Sequence, residues 1–234
     1  MTGRDDLAGR HLVITGAAGA LGNAVARLAL DAGATCHLPL RGAAPPADAA
    51  WRDHPKAQVT GGIDLADEAA LAGYFRELPE LWGLFACAGG FAMAPLAKTS
   101  LADFRGQLDR NLVSAFLCIR EAAAKMPSGG RIVAVAARPA LEPRQGKGMT
   151  AYTASKAALA ALVEAAAEEL APAGIWVNGV APSIIDTAAN RQAMPKADHS
   201  NWPTPAEIAR TMLFLASPGN AVTRGAIVPV YGRT

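Results

Sequence analysis

The sequence predicts an α/β protein whose doubly wound parallel sheet has about seven strands, with helices on both faces. Three features indicate this fold. Short apolar runs alternate along the chain with longer segments that are rich in alanine and leucine, as helices often are. The apolar runs are continuous, as expected for strands that are buried on both faces. A glycine-rich turn follows the first run, where the first strand of such a sheet commonly joins its helix.

The first half of the chain contains four predicted strands and two helices. His11–Thr15 is a short apolar run that stops at glycines, and the helix after it ends at Gly33. A Pro/Ala-rich loop through Pro45 and Pro46 separates the second strand from the third. In chain order the elements are strand His11–Thr15, helix Leu21–Ala32, strand Ala34–Leu40, strand Gln58–Thr60, helix Ala66–Leu78 and strand Leu81–Cys87.

The second half keeps the same alternation after a long helical stretch. Its elements are helix Ser100–Lys125, strand Arg131–Ala136, helix Ala151–Leu170, strand Ile175–Ala181, helix Thr204–Ala216 and strand Ala226–Val230. Strands that are separated by helices pair in parallel. No internal repeat and no long polar linker interrupts the pattern, so we predict one domain that spans residues 1–234.

The composition limits the classes of function. Hydrophobic residues make up 51% and charged residues 18% of the 234 residues, which favours a globular enzyme over a disordered chain. The net charge is only +2 and no run of Lys or Arg occurs, so we expect neither a nucleic acid nor an anionic membrane as partner. A small-molecule substrate is the remaining expectation.

The cysteines and histidines argue against metal and disulfide chemistry. The three cysteines lie far apart without a CxxC motif, and the four histidines lack metal-ligand spacing. Met1–Arg10 is polar without an apolar signal core, and no run of about 18 apolar residues occurs. These features predict a cytoplasmic protein without a bound metal.

Tyr152 and Lys156 form the most informative pair in the chain. A helix places positions i and i+4 on one face, so a phenol and an ammonium group can act there as one unit. The cation is expected to favour the ionised phenol and to lower a pKa that starts near ~10. Such a tyrosine exchanges protons with a carbonyl or an alcohol near neutral pH. Coincidence also produces this spacing, so its weight depends on the other motifs.

The glycine turn predicts a dinucleotide site. From Thr15 to Gly22 the chain reads TGAAGALG, between the first strand and the first helix. Glycines permit a sharp turn and a close approach of the backbone to a pyrophosphate, and the start of the helix supplies free N–H groups. The alternative is a purely structural turn. The residues that we expect around the phosphates are Gly16, Ala18, Gly19, Leu21 and Gly22.

Further motifs follow in order. They are Asp64-Leu65 after the third strand, ACAG at residues 86–89, Asn111 in NLVSAF, the Tyr152/Lys156 pair, and VNGVAPS at residues 177–183 followed by Ile185-Asp186-Thr187. Together with the glycine turn, this series resembles the short-chain dehydrogenase/reductase family over almost the whole chain. The resemblance implies a Rossmann-like fold, a nicotinamide coenzyme, and hydride transfer between nicotinamide and a carbonyl or alcohol carbon.

The resemblance also implies roles for individual residues. Tyr152 is the general acid or base, Lys156 tunes it and binds the nicotinamide ribose, and Asn111 holds a water in a proton relay. For Asn111 a helix-packing role is the alternative. The implied coenzyme contacts beyond the glycine turn are Asp64 and Leu65, Ala88 and Gly89, Tyr152 and Lys156, and Pro182, Ile185 and Thr187.

Arg41 bears on which coenzyme binds. The second strand ends in Leu38-Pro39-Leu40-Arg41 without the carboxylate that would accept hydrogen bonds from an adenosine ribose. Arg41 can instead hold a 2′-phosphate through charge-assisted hydrogen bonds. We therefore favour NADP(H) and keep NAD(H) as possible. The alternatives for Arg41 are stacking on the adenine or a solvated strand end.

The main departure from the family lies at the fifth strand. Ala136 and Ala137 occupy positions where the family has serines, one of which donates a hydrogen bond to the substrate oxygen. Losing one such donor typically costs about 10²–10³ in rate. Either Ser183, Thr150 or a backbone N–H replaces it, or the chain is a weak or inactive dinucleotide-binding protein that senses redox state or supports a partner. Retention of the tyrosine, lysine and asparagine favours activity.

The C-terminal third resembles dihydropteridine reductases. They also keep the Tyr/Lys pair without the serine, carry Ala-Gly-Gly after the fourth strand, and act on a quinonoid ring. They have an acid at the position of Leu40, from which this chain departs. A quinonoid ring is therefore a candidate substrate class beside carbonyls and alcohols.

Ligands of such sheets bind outside the carboxyl ends of the strands. We expect the substrate near residues there, each of which could equally pack within its loop: Phe91, Ala137, Met149, Ser183 and Met194. The polar stretch from Ala188 to Pro203 is either a lid or a surface excursion. Arg138 is either a ligand for an acidic substrate or a solvated loop arginine. The resemblance further implies a homo-oligomer, a dimer or tetramer, that assembles through Ser100–Lys125 and Ala151–Leu170.

Overall fold

The computed structural model describes residues 7–234, so the prediction for Met1–Arg10 falls mostly on residues outside this range. Seven parallel strands form one sheet in the order β3-β2-β1-β4-β5-β6-β7. The strands are β1 His11–Thr15, β2 Thr35–Pro39, β3 Ala57–Thr60, β4 Gly83–Ala86, β5 Gly130–Val135, β6 Ile175–Pro182 and β7 Ile227–Val230. The predicted doubly wound parallel fold is confirmed.

Within residues 7–234, eight α-helices connect the strands. They are α1 Ala20–Asp31, α2 Glu68–Arg76, α3 Leu101–Leu108, α4 Ser114–Ala124, α5 Arg138–Leu141, α6 Thr150–Leu170, α7 Ala188–Ala193 and α8 Pro205–Ala216. None of the helices in residues 7–234 is long and apolar enough to cross a membrane. The short helices α5 and α7 are not predicted from the sequence, because four to six residues carry too little periodicity to indicate a helix.

Two hydrophobic clusters hold the layers together. One lies between the sheet and helices α1 and α8, and it includes the fully buried Trp51. The other lies between the sheet and helices α2, α4 and α6. The strand order reverses beside β1, whose neighbours are β2 on one side and β4 on the other. In such sheets the crevice at the carboxyl ends of the strands at this reversal is the usual place of a ligand.

The predicted helix Ser100–Lys125 is continuous but changes its hydrogen bonding in the middle. Helix α3 passes into a π-helical segment at Asp109–Val113 and then into α4. The apolar periodicity indicates that the stretch is helical, but it cannot show a local change of one residue per turn. Single π turns inside α-helices often mark functional sites, and this one carries Asn111.

We expect Gly73→Ala in helix α2 to raise the free energy of unfolding by about 0.5–1 kcal/mol. Alanine restricts the unfolded chain more than glycine does and favours the helix. A Cβ at Gly73 would have no atom within 4 Å, and the residue lies inside the helix. Urea unfolding with an unchanged slope is the measurement, and a lower midpoint would contradict the expectation.

Candidate functional site

The glycine turn after β1 packs against the loop after β4. Gly16 has a φ of +69°, and a Cβ there would lie 2.8 Å from the backbone nitrogen of Ala88. The Thr15 hydroxyl oxygen joins the same two segments by accepting a hydrogen bond of 3.1 Å from that nitrogen. A Cβ at Gly22 would overlap the Gly16 carbonyl and lie 2.6 Å from its carbon. Side chains at these two positions would therefore push the turn apart.

The start of helix α1 has the features of an anion-binding site at this turn. Gly19 precedes the helix without a side-chain cap, and no acidic residue lies in the first turn. The first N–H groups of a helix have no intrahelical partner and carry the positive end of its dipole. The turn thus combines close backbone approach with free donors, and these residues fit a dinucleotide pyrophosphate.

Trp51 supports the turn from the loop after β2, and sequence reasoning did not find it. Its Nε1 donates to the Ala17 carbonyl oxygen at 3.1 Å. The backbone nitrogen of Ala50 also donates to Oδ1 of Asn23 on α1 at 3.0 Å. The Pro/Ala-rich composition of this loop gave no sign of these contacts. The only signal was the presence of a tryptophan, a large aromatic residue, within this loop.

Arg41 lies at the rim of the crevice. Its side chain is 84% exposed, and one guanidinium nitrogen is 3.7 Å from the Asp64 carboxylate. Asp64 in turn accepts a hydrogen bond of 3.0 Å from the backbone nitrogen of Ala66. The structure thus brings together Arg41, which we expect at a 2′-phosphate, and Asp64, which we expect at the adenine ring, and Arg41 remains open to solvent.

Asn111 and Lys156 meet at Gly89. A Cβ at Gly89 would lie 2.8 Å from Oδ1 of Asn111 and 3.3 Å from Nζ of Lys156. The Asn111 side chain accepts a hydrogen bond from the Gly90 nitrogen at 2.9 Å and donates to its carbonyl oxygen at 3.0 Å. Only glycine therefore fits at position 89 without displacing one of these two polar side chains.

Ser155 connects this group to the helix of Tyr152. Asn111 donates to Oγ of Ser155 at 3.1 Å, and that hydroxyl donates to the Tyr152 carbonyl oxygen at 2.7 Å. Ser155 is fully buried. The sequence motif contains this serine between the tyrosine and the lysine, but only the structure shows its bond to the π-helical segment.

Lys156 is buried and bound to the fifth strand. Its Nζ donates to the Val135 carbonyl oxygen at 2.6 Å. Burial lowers the pKa of the ammonium group to about 8, and the nearby Cys87 opposes this shift to a smaller extent. Burial likewise raises the pKa of the Cys87 thiol to about 12, so the thiol stays protonated at neutral pH.

Tyr152 departs from the sequence expectation in its ionisation. Burial raises the pKa of the phenol to about 12, whereas we expected Lys156 to lower it. The physical reason is desolvation, which disfavours the charged phenolate. The Tyr152 ring packs edge-on against Phe91 with centroids 5.0 Å apart. The phenol is therefore protonated at neutral pH and suited to donate a proton.

The position of the family serine is closed by small side chains. Ala136 and Ala137 are 3% and 5% exposed at the end of β5. Of the suggested replacements, Ser183 donates its hydroxyl proton to the Tyr231 carbonyl oxygen at 2.7 Å. Thr150 is exposed in the first turn of α6, where the N–H groups have no intrahelical partner. Ser183 is therefore the weaker candidate donor.

The other predicted substrate residues surround this edge. Phe91 is 59% exposed, and Met149 is half-buried beside a cleft of about 190 Å³ that Met93 and Arg110 also line. Met194 ends α7, and its carbonyl oxygen lies 2.8 Å from Nε2 of His199. The stretch from Ala188 to Pro203 is folded, since it contains α7 and a buried Trp202.

The predicted coenzyme residues also share one edge of the sheet. Most of them follow a strand: Gly16, Ala18, Gly19, Leu21 and Gly22 come after β1, Arg41 after β2, Asp64 and Leu65 after β3, Ala88 and Gly89 after β4, and Ile185 and Thr187 after β6. Pro182 is the last residue of β6, and Tyr152 and Lys156 lie in α6. Thr187 caps α7 by accepting a hydrogen bond of 3.2 Å from the Asn190 nitrogen. Within residues 7–234 no group of three or more His, Cys, Asp or Glu side chains could hold a metal ion.

Comparison with known proteins agrees with the predicted family and with the fold. The family model described as short chain dehydrogenase matches residues 10–198. The chain belongs to the short-chain dehydrogenase family. It is 34% identical over 191 residues to a hydroxy(phenyl)methylsuccinyl-CoA dehydrogenase subunit of Thauera aromatica, and the match covers 75% of each chain. It is 30% identical to the cyclic-di-GMP-binding biofilm dispersal mediator protein of Escherichia coli K12, over 96% of both chains.

A solved structure extends the likeness to three dimensions. The 3-oxoacyl (acyl-carrier-protein) reductase of Agrobacterium tumefaciens C58, with NADP bound, superimposes with a TM-score of 0.85 at 26% identity. The superposition covers 98% of this chain and 96% of the other. As a short-chain dehydrogenase the chain is an oxidoreductase of a family that binds a nicotinamide dinucleotide.

Proposed function

We propose that this short-chain dehydrogenase is an NADP(H)-dependent reductase of carbonyl or quinonoid-ring substrates, with Tyr152 as the general acid. The observation that carries the proposal is the convergence of Asn111, Lys156 and the Tyr152 helix on Gly89. This group lies at the same strand ends as the glycine turn. A sensor that only binds nucleotide has no physical need for a phenol, a buried ammonium and an amide at this point.

A bound nicotinamide supplies the hydride, and this chain supplies the proton. The phenol of Tyr152 is protonated at neutral pH because burial raises its pKa to about 12, so it donates to the oxygen on which negative charge develops. Lys156 has a pKa lowered to about 8 by burial and is able to return a proton to the phenol near neutral pH. Asn111 and Ser155 hold the helix of Tyr152 against the π-helical segment.

The alanine at position 137 bears on the substrate. It cannot donate a hydrogen bond to a substrate oxygen. A quinonoid ring spreads the developing charge over several atoms and needs less help at a single oxygen than a simple ketone does. NADPH oxidation against a panel of ketones, quinones and quinonoid dihydropterins tests the proposal. Consumption with at least one of these classes supports it, and complete inactivity despite tight coenzyme binding contradicts it.

The second candidate function is that of a nucleotide-binding protein with little or no catalysis. Two observations favour it: the buried Ala137, and a relative of nearly equal length that is named for binding cyclic di-GMP. Binding of cyclic di-GMP without NADPH turnover would support this alternative. Turnover that depends on Tyr152 would exclude it.

We expect Arg41→Ala to weaken NADPH binding by about 10–100-fold while NADH binding changes little. A charge-assisted hydrogen bond to the 2′-phosphate contributes roughly this much. Within the described part of the chain, the one ion pair that Arg41 must give up is the exposed 3.7 Å pair with Asp64, so the side chain is free to turn toward a phosphate. Fluorescence titration of both coenzymes is the measurement.

The matched control for Arg41 is Arg52→Ala. Arg52 is an exposed arginine further along the same loop. Its removal changes the net charge equally and should leave both affinities near those of the wild type. Equal weakening of NADPH and NADH by Arg41→Ala would refute the assignment to NADP(H).

The proposal includes a homodimer or tetramer built on α3, the π-helical segment, α4 and α6, which cover the predicted interface ranges Ser100–Lys125 and Ala151–Leu170. Phe116 on α4 is 44% exposed, a large aromatic side chain that such an interface would cover. All three cysteines are free thiols, which suits the reducing cytoplasm that we propose as the location. Sedimentation of the purified protein tests the assembly.

A further inference from the structure

Four polar residues meet where β5, β6 and β7 end. Arg138 and Glu142 belong to the connection after β5, Ser183 follows β6, and Tyr231 follows β7. We call these four residues the Arg138 cluster. Arg138 comes directly after Ala137, the residue at the position of the family serine. The cluster therefore lies at the carboxyl ends of the strands, on the side of Tyr152 and Lys156 that is nearer to β7.

Arg138 is held in one orientation. Its Nε donates to Oε2 of Glu142 at 3.0 Å, and its guanidinium carbon lies 4.7 Å from the centre of the Tyr231 ring. Tyr231 is itself held, because its carbonyl oxygen accepts the Ser183 hydroxyl at 2.7 Å. The Arg138 side chain is 28% exposed. These two contacts distinguish Arg138 from an arginine that only water surrounds.

The outer edge of the guanidinium group remains available. Arginine carries five N–H donors in a planar fork. Glu142 takes the one on Nε, and neither Nη nitrogen has a hydrogen-bond partner in the part of the chain that the structure describes. Two parallel N–H groups match the two oxygens of a carboxylate, which is the geometry of the strongest charge-assisted pairs.

The carboxylates of Asp186 and Glu142 do not occupy the Nη nitrogens of Arg138. Asp186, the next carboxylate after β6, is bound by Arg191 through two hydrogen bonds of 2.5 and 2.7 Å. Glu142 already accepts from Nε and lies beside Tyr231, whose pKa rises through burial and the Glu142 charge. Glu142 thus orients the fork through Nε and leaves the two Nη nitrogens without a hydrogen-bond partner among residues 7–234.

We propose that Arg138 binds a carboxylate group of the substrate at the end remote from the reacting carbon. The inference rests on the proposed reductase function and names its substrate class as oxo acids. Ala137, which precedes Arg138, would lie beside the reacting carbonyl. The Arg138 side chain reaches from there to Tyr231, which follows β7. One substrate would thus be held at two points, which fixes its orientation before hydride transfer.

The test compares a series of aliphatic oxocarboxylates of increasing length, each paired with its methyl ester. We expect the wild type to favour the carboxylates, and Arg138→Gln to lower their kcat/KM by about 10–100-fold with little effect on the esters. Most of the loss should appear in KM. Arg138→Lys should retain part of the preference, because it keeps the charge and loses the fork.

Arg144→Gln is the matched control. Arg144 is an exposed arginine in the same connection, and its loss removes the same charge without touching the cluster. An equal effect of Arg138→Gln on acids and esters, or an equal effect of Arg144→Gln, would overturn the proposal. Unfolding midpoints of all variants separate a binding effect from a folding defect.

A binding measurement separates this inference from the proposed function. Calorimetric titration of the oxocarboxylates into wild-type protein saturated with NADP⁺ requires no turnover. Carboxylate binding that Arg138→Gln weakens supports the site even if no carbonyl is reduced, in which case the reductase proposal fails alone. Absence of carboxylate binding by the wild type, with esters still reduced, overturns the carboxylate site alone.

Discussion

Replacing Tyr152 with phenylalanine is expected to lower kcat with the best substrate by about 10²–10⁴-fold. This is the usual contribution of a positioned general acid. The phenol lies half-buried against Phe91, and burial raises its pKa to about 12, so at neutral pH the wild type holds a proton ready for the substrate oxygen. Phenylalanine keeps the ring and its edge-on contact but has no proton to give.

Coenzyme affinity should stay near that of the wild type in Tyr152→Phe, because Lys156 and the glycine turn are unchanged. Stopped-flow NADPH oxidation and coenzyme titration measure the two effects separately. Tyr74→Phe is the matched control, since the Tyr74 hydroxyl is buried without a hydrogen-bond partner among the described residues 7–234 and is far along the chain from the site. Turnover close to the wild type's in Tyr152→Phe would remove the tyrosine from the mechanism.

Gly22→Ala is expected to abolish measurable coenzyme binding and to lower the free energy of unfolding by about 1–3 kcal/mol. The three atoms nearest to the added Cβ would all be backbone atoms: the Gly16 carbonyl group, with its carbon at 2.6 Å, and the Ala17 nitrogen at 2.9 Å. Backbone cannot rotate away as a side-chain end can. The turn must open, and opening it moves the N–H groups that we expect around the pyrophosphate.

Urea unfolding and NADPH titration test both halves of this expectation. Gly73→Ala makes the same chemical change inside helix α2, where nothing lies within 4 Å of the new methyl group, and should stabilise the protein. A Gly22→Ala protein with normal stability and normal NADPH affinity would show that the turn adapts at no cost. The structural basis for a glycine there would then be wrong.

The sequence predicted the order and type of every long element because their apolar runs are continuous and glycines or prolines bound them. Strand ends agree within about two residues. The π-helical segment at Asp109–Val113 was not predictable, because apolar periodicity does not show whether an N–H group donates to the carbonyl four or five residues earlier. The short helices α5 and α7 were missed for lack of length.

The sequence by itself determined the family, the parallel sheet and the identity of the candidate catalytic group, because local spacing and strand ends carry that information. Only the tertiary structure decided how those groups are charged and held. The Val135 carbonyl, contributed by another strand, holds the ammonium of Lys156, and burial keeps the Tyr152 phenol protonated. Likewise, Arg138 is oriented by Tyr231, which is far away in sequence, and by Glu142, which follows the short helix α5. Burial sets the pKa of the Tyr152 phenol, and contacts with residues remote in sequence set the orientation of the Arg138 side chain. Neither property can be read from neighbours along the chain.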